Sequence, residues 1–255
     1  MLVVFDIDGT LTRTSDVDAA LYAQAFLDTF GLPLPTLDWT AYSHATDRGI
    51  AEEALRRAGR ATSRASLDDM RRRFIESLDR ALTADPSHQV PGASAMLARL
   101  REDGHTVAFA TGCWEASARL KLTRSFIEVR DCCLVACDSE PDRVAILRSA
   151  MRHAAPRERV LYVGDGPWDV QAARRLQLPF IGIDHDDSGR LRGQIADMSG
   201  LSGRRGHNAR SRSFALSSDQ DGGVNGLAGS RARALRLAGR ERGERGRRPP
   251  SLPPQ

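Results

Sequence analysis

Two carboxylates one residue apart, Asp6 and Asp8 in "FDIDGT", stand where an apolar run gives way to a glycine turn. Turn chemistry accounts for Gly9, but Asp6 interrupts the apolar run before the turn begins. Two further polar groups follow apolar runs: Thr111 and Gly112 after "TVAFA", and Asp165 after "RVLYVG", with Asp169 four residues later in "VGDGPWD". If these termini meet, the carboxylates repel one another unless a cation lies among them. Hard oxygen donors of this kind suit Mg²⁺. A carboxylate held against a phosphate can act as a nucleophile, which is the role Asp6 fits. A second carboxylate in the turn, Asp8, can protonate the leaving oxygen and then take a proton from water. The Thr111 hydroxyl and the Gly112 backbone are placed to hold phosphoryl oxygens.

These residues need a scaffold that brings distant termini together. "LVVFD" (2 to 6), "TVAFAT" (106 to 111), "CCLVAC" (132 to 137), "RVLYVGD" (159 to 165) and "FIGID" (180 to 184) each have the length and composition of a buried parallel strand. Helical patterns lie between them in "GASAMLARLREDG", "EASARLKLTRSF", "PDRVAILRSAMRHA" and "DVQAARRLQL". Such β-α alternation predicts a doubly wound α/β parallel sheet, Rossmann-like, whose ligands bind at the carboxyl ends of the strands. Residues 14–88 break the rhythm: they hold no strand-like run but several amphipathic stretches, with Tyr22, Phe26 and Phe30 at intervals of four. They read as an α-helical insertion, a cap over a core made of residues 1–13 and 89–199. Within it, "HATDRG" places Thr46 as a helix cap and Asp47 as a first-turn acid. Thr46 and Arg48 are the cap's candidates for substrate contact.

Composition narrows the class. The 255 residues are 41% hydrophobic and 27% charged, enough for a full globular core. No window reaches the length of a membrane span, and the first residues resemble no signal peptide, so the chain reads as cytoplasmic. The four cysteines lack metal-ligand spacing and read as free thiols. The net charge of +4 is uneven: from Gly200 onward there are 12 Arg against 4 acidic residues, so the remainder is mildly acidic. Residues 200–255, rich in Arg, Gly, Ser and Pro, have the composition of a disordered tail. With Phe214 as its one aromatic residue, that tail offers little stacking surface for nucleic acid.

In this order, "DIDGTLT", "FATGCW" and "GDGPWD", with a helical insertion after the first, resemble three motifs of the haloacid dehalogenase superfamily, in particular phosphoglycolate-phosphatase-like members with a small helical cap. The resemblance covers residues 1 to about 185. It implies a phosphatase acting on a small phosphorylated metabolite, with Asp6 as nucleophile and Asp8 as acid and base. It also implies Mg²⁺ held by the Asp6 side chain, the Asp8 backbone carbonyl and Asp165, with Asp169 a further ligand or a holder of metal-bound water. The third motif departs: the lysine expected there is absent from "DSEPDRVAIL", where Glu140 stands instead. Arg143 and Lys121 are the two candidate phosphate-binding cations. Lys121 is the only lysine beside 36 arginines, which favours it where a compact ammonium is wanted. Two alternatives share the fold: a phosphoglucomutase-like transfer to a sugar, and a non-catalytic protein that binds nucleic acid through its tail.

Overall fold

The structure, a computed structural model, describes residues 1–129, 132–138, 140–185 and 191–196, with residues 184–185 and 191–196 as backbone only. Residues 200–255, read above as a disordered tail, lie outside the described residues.

Apolar runs form the strands: β1 (Leu2–Phe5), β2 (Thr106–Ala110), β3 (Cys133–Val135), β4 (Val160–Gly164) and β5 (Phe180–His185), joined by β6 (Leu191–Ala196). Their order in the sheet is β3-β2-β1-β4-β5-β6, with the first five parallel and β6 antiparallel to β5. Alternate side chains of β1 enter two cores. Leu2 and Val4 join one with Val144, Leu147, Ala172 and Ala173, while Val3 and Phe5 join the other with Leu97, Ala118 and Leu122. Helices α4 (Ala93–Glu102) and α5 (Glu115–Arg124) therefore cover one face, and α6 (Arg143–Met151) and α7 (Pro167–Leu176) the other. The chain is doubly wound, as expected.

Between β1 and α4 lie α1 (Ser15–Phe30), α2 (Asp47–Arg57) and α3 (Arg64–Ala81). Their apolar stripes, including Tyr22, Phe26, Met70, Phe74 and Leu78, are buried against one another. Helix α3 begins with reciprocal Ser63 and Ser66 hydrogen bonds, and Gly31 ends α1 in a left-handed conformation.

Two strands differ from the expectation. β3 spans three half-buried residues rather than six buried ones, because it is an edge strand with a single neighbour. β6 lies beyond the five apolar runs that the sequence offers. In "LRGQIA", apolar residues alternate with polar ones, the pattern of an antiparallel edge strand rather than an apolar run. Among the described residues no helix is long and apolar enough to cross a membrane.

Candidate active site

Register brings the polar termini to one height. Phe5 of β1 pairs with Phe109 of β2 and with Val163 of β4, so Asp6, Thr111 and Asp165 leave the sheet side by side. The Asp6 N–H still completes the ladder to the Val163 carbonyl at 2.9 Å, and Thr111 N–H does so to Val135. The switch in strand order lies here, with β2 and β3 on one side of β1 and β4 and β5 on the other.

The acids meet as the sequence suggests. Oxygen atoms of Asp6, Asp165 and Asp169 all lie within 4.8 Å of one another. Asp6 and Asp169 are buried and Asp165 is exposed. Burial pushes the Asp6 carboxyl well above its usual range; Arg143 works against that, while Asp169, Asp165 and Asp8 add to it. Asp165, open to solvent on one side but with protein atoms crowded about its carboxyl, is raised to about 7, first by the desolvation they cause and then by Asp169. Three acids thus crowd together at a cost that one cation or a proton relieves. Asp169 has its oxygens occupied: Oδ1 accepts from Arg143 Nε at 2.9 Å, Arg143 Nη2 at 2.7 Å and Tyr162 Oη at 2.6 Å, and Oδ2 accepts from Gly166 N–H at 3.0 Å. It anchors an arginine more than it faces the cavity.

Glycines permit the close approach. Gly9 has φ +78°, and a Cβ there would lie 1.9 Å from Asp165 Oδ2. At Gly112 a Cβ would lie 2.7 Å from Arg143 Nη1 and 2.7 Å from the Ala45 carbonyl. Thr111 Oγ1 accepts from Cys113 N–H at 3.1 Å, which leaves its proton to donate into the cavity.

Of the two candidate cations, Arg143 rather than Lys121 stands beside Asp6. Arg143, at the start of α6 and 7% exposed, donates from Nη2 to Asp6 Oδ1 at 2.7 Å while Nε and the same Nη2 grip Asp169. Its guanidinium therefore stands beside the nucleophile candidate. Lys121 is 0% exposed, which also excludes a solvated helix lysine. It sits behind Asp8 rather than in the cavity, with Nζ 2.5 Å from Asp8 Oδ2, 2.7 Å from Asp18 Oδ1 and 3.0 Å from Cys113 Sγ. The reason is physical: Lys121 is buried, and two carboxylates claim its charge before any phosphate can. Asp18 and Asp8 hold the ammonium well above its usual range against the effect of burial. For Asp8, burial is outweighed by Lys121 and by hydrogen bonds from Cys113, Lys121 and Thr14, leaving the carboxyl below its usual range.

A cavity of about 200 Å³ opens over these groups, lined by Asp6, Asp8, Asp165, Thr111, Gly112 and Arg143 below and by α1 and α2 above. Thr46 reaches its wall, but its hydroxyl is committed: it accepts from Gly49 N–H at 3.1 Å, capping α2, and donates to the Pro141 carbonyl at 2.8 Å. Arg48 does not line the cavity. Its Nε pairs with Glu52 at 2.8 Å, and a second nitrogen reaches the Asp138 carbonyl at 3.5 Å. Sequence reasoning missed Asp18 and Asp47, which do line it. Asp47 Oδ2 accepts from Trp114 N–H at 2.9 Å, and the Asp47 backbone N–H donates to the Gly112 carbonyl at 2.8 Å, so α2 is tied directly to the Thr111 loop. Trp168 is a cavity wall, whereas Trp114 is buried in the core. A wider, open groove between α3 and α5 is a surface of mutually paired ions, among them Arg71 with Asp138 at 2.9 Å and Arg119 with Glu115 at 2.8 Å.

A family profile described as haloacid dehalogenase-like hydrolase matches residues 1–177. The chain belongs to that family. It is 31% identical to a phosphoglycolate phosphatase of Agrobacterium fabrum over 191 residues, 71% of this chain and 79% of the relative. A phosphoglycolate phosphatase of Cereibacter sphaeroides is 30% identical over 186 residues, 70% of this chain and 82% of the relative. A crystal structure of a hydrolase from Pseudomonas syringae superposes with a TM-score of 0.57 at 21% identity, covering 73% of this chain and 87% of that one, a likeness of fold. This haloacid dehalogenase-like chain is accordingly an enzyme, a hydrolase of the phosphatase kind.

Proposed function

We propose that this enzyme hydrolyses small phosphate monoesters through a phosphoryl group carried transiently on Asp6, with Mg²⁺ as its cation and residues 14–88 as a cap over the core. The observation that carries the reading is the buried Asp6 carboxylate at the end of β1, with Arg143 2.7 Å from one oxygen and Asp165 within ion-sharing distance.

The donor set fits a hard divalent cation: carboxylate oxygens from two strands within 4.8 Å, crowded beyond what Arg143 alone offsets. Asp6 and Asp165 would hold it, with the Asp8 backbone carbonyl, while Asp169 keeps Arg143 in place. When bound, the cation supplies charge neutralisation between nucleophile and phosphate. The chain's own groups do the rest. An Asp6 oxygen attacks phosphorus as the bond to the ester oxygen breaks, and Asp8 gives that oxygen its proton. Water then attacks the phosphorus, its proton passes to Asp8, and phosphate leaves with Asp6 restored. Thr111, Gly112 and Arg143 hold the phosphoryl oxygens.

Lys121 acts through Asp8. Its ammonium fixes the carboxylate's orientation and favours the ionised form needed as base. A phosphate dianion beside Asp8 works in the opposite sense and favours the protonated form needed as acid. The test is phosphate release from a panel of esters with and without Mg²⁺, with Asp6→Asn as the blank. Metal-dependent release that the variant lacks supports the reading. Absence of release from every ester removes it.

A further inference from the structure

Arg143 lines the cavity with one nitrogen to spare. Its Nε donates to Asp169 Oδ1 at 2.9 Å, and its Nη2 donates to that same oxygen and to Asp6 Oδ1, each at 2.7 Å. Nη1 has no hydrogen-bond partner among the described residues. It lies against Gly112, where a Cβ would come within 2.7 Å of it. That nitrogen is the one left to meet a phosphoryl oxygen. A guanidinium is a rigid plane, so the direction of Nη1 depends on the oxygen that holds the opposite side of the plane, Asp169 Oδ1.

Tyr162 holds that oxygen from within the core. Its Oη donates to Asp169 Oδ1 at 2.6 Å, and among the described residues it is the one donor to Oδ1 besides Arg143; the Gly166 N–H takes Oδ2 at 3.0 Å. Tyr162 stands in the middle of β4, paired with Val4 of β1 and Phe180 of β5, and is fully buried. Its ring packs against that of Phe180 with centroids 5.7 Å apart. Burial and then the neighbouring Asp169 keep the phenol well above its usual range, so the hydroxyl stays a donor. Phenylalanine would fill the same space without a hydroxyl to desolvate, so packing gives no reason for the oxygen. A central strand is also the firmest anchor available to a side chain at the start of α7.

We infer that Tyr162 is a positioning residue for phosphoryl transfer, its hydroxyl fixing Asp169 so that Arg143 presents Nη1 to the transferring group. The inference rests on the phosphatase reading. It is tested with Tyr162→Phe in the full chain with Mg²⁺, turning over p-nitrophenyl phosphate. Misaiming a group that acts on the transferring phosphoryl lowers kcat more than it raises KM, so we expect kcat to fall about tenfold and KM to move by less than about twofold. Inhibition by orthovanadate, which takes the shape of the transferring group, should weaken by about the same factor as kcat. Two controls separate aim from packing. Phe180→Leu disturbs the packing of the ring but keeps the hydroxyl, and should lower the denaturant midpoint while kcat stays within about twofold. In the Arg143→Lys chain, which has no planar fork to aim, adding Tyr162→Phe should cost no more than about a further twofold. Unchanged kcat and vanadate inhibition in Tyr162→Phe, an equal loss in the Arg143→Lys chain, or a matching loss of kcat in Phe180→Leu overturns the inference; Asp6-dependent release by the unaltered chain then leaves the phosphatase reading standing. No Asp6-dependent release by the unaltered chain overturns both.

Discussion

At the scale of single residues, the site is two buried ion clusters back to back. Arg143 serves Asp6 and Asp169; Lys121 serves Asp8 and Asp18. Removing one partner of such a cluster leaves an uncompensated buried charge, so Lys121→Met should cost about 3–5 kcal/mol of stability, read as a lower denaturant midpoint. Its catalytic signature should be selective. Alkyl esters, whose leaving oxygen needs a proton, should lose about a hundredfold in kcat, while p-nitrophenyl phosphate should lose far less, because its leaving group needs little protonation. Equal losses on both would mean that Lys121 is structural alone. Asp6, Thr111 and Asp165 were legible in the sequence because each follows an apolar run in a parallel strand, and Asp8 because it stands two positions beyond Asp6 in the turn. Asp18 and Asp47 were not, since an acid in the first turn of a helix already has a local explanation. Lys121 stood out by composition, but its partners lie 103 and 113 residues away, a pairing only the fold reveals.

At the scale of elements, turns and helix starts aim the side chains. The β1 turn works only because Gly9 gives way to Asp165. Gly9→Ala would place a Cβ 1.9 Å from that carboxylate at a φ of +78°. We expect it to lose about 1–2 kcal/mol of stability and about a hundredfold in kcat, because a displacement of about 1 Å at the reacting centre is enough for that. A small shift in denaturant midpoint with a large loss of kcat is the expected pair of results; unchanged kcat would show that Asp165 need not stand there. The helix start of α6 is as exacting. Arg143→Lys keeps a charge but loses the planar fork that spans Asp6 and Asp169, so we expect steady-state kcat to fall about a hundredfold or more. The parallel strands and their helices were readable from buried apolar runs alternating with helical periodicity. β3 and β6 were less so, because edge strands are short or alternate in polarity and their pairing is set by neighbours.

At the scale of the whole molecule, the α1–α3 segment and the sheet edge are joined at the cavity by Asp18 on Lys121 and by Asp47 on Trp114 and Gly112. Asp18 of α1 therefore shares with Asp8 the ammonium that holds the Asp8 carboxylate in place. A chain ending at residue 199, without the Arg-rich stretch, should keep phosphate release within about twofold of the full chain. Both halves of the proposed reaction pass through a phosphoryl group on Asp6. Rapid acid quench of the Mg²⁺ enzyme during turnover of a ³²P-labelled ester, followed by peptide mapping, should find label on the peptide containing Asp6 and none in Asp6→Asn. Steady turnover in the Asp6→Asn chain, or label on a different residue, would contradict it.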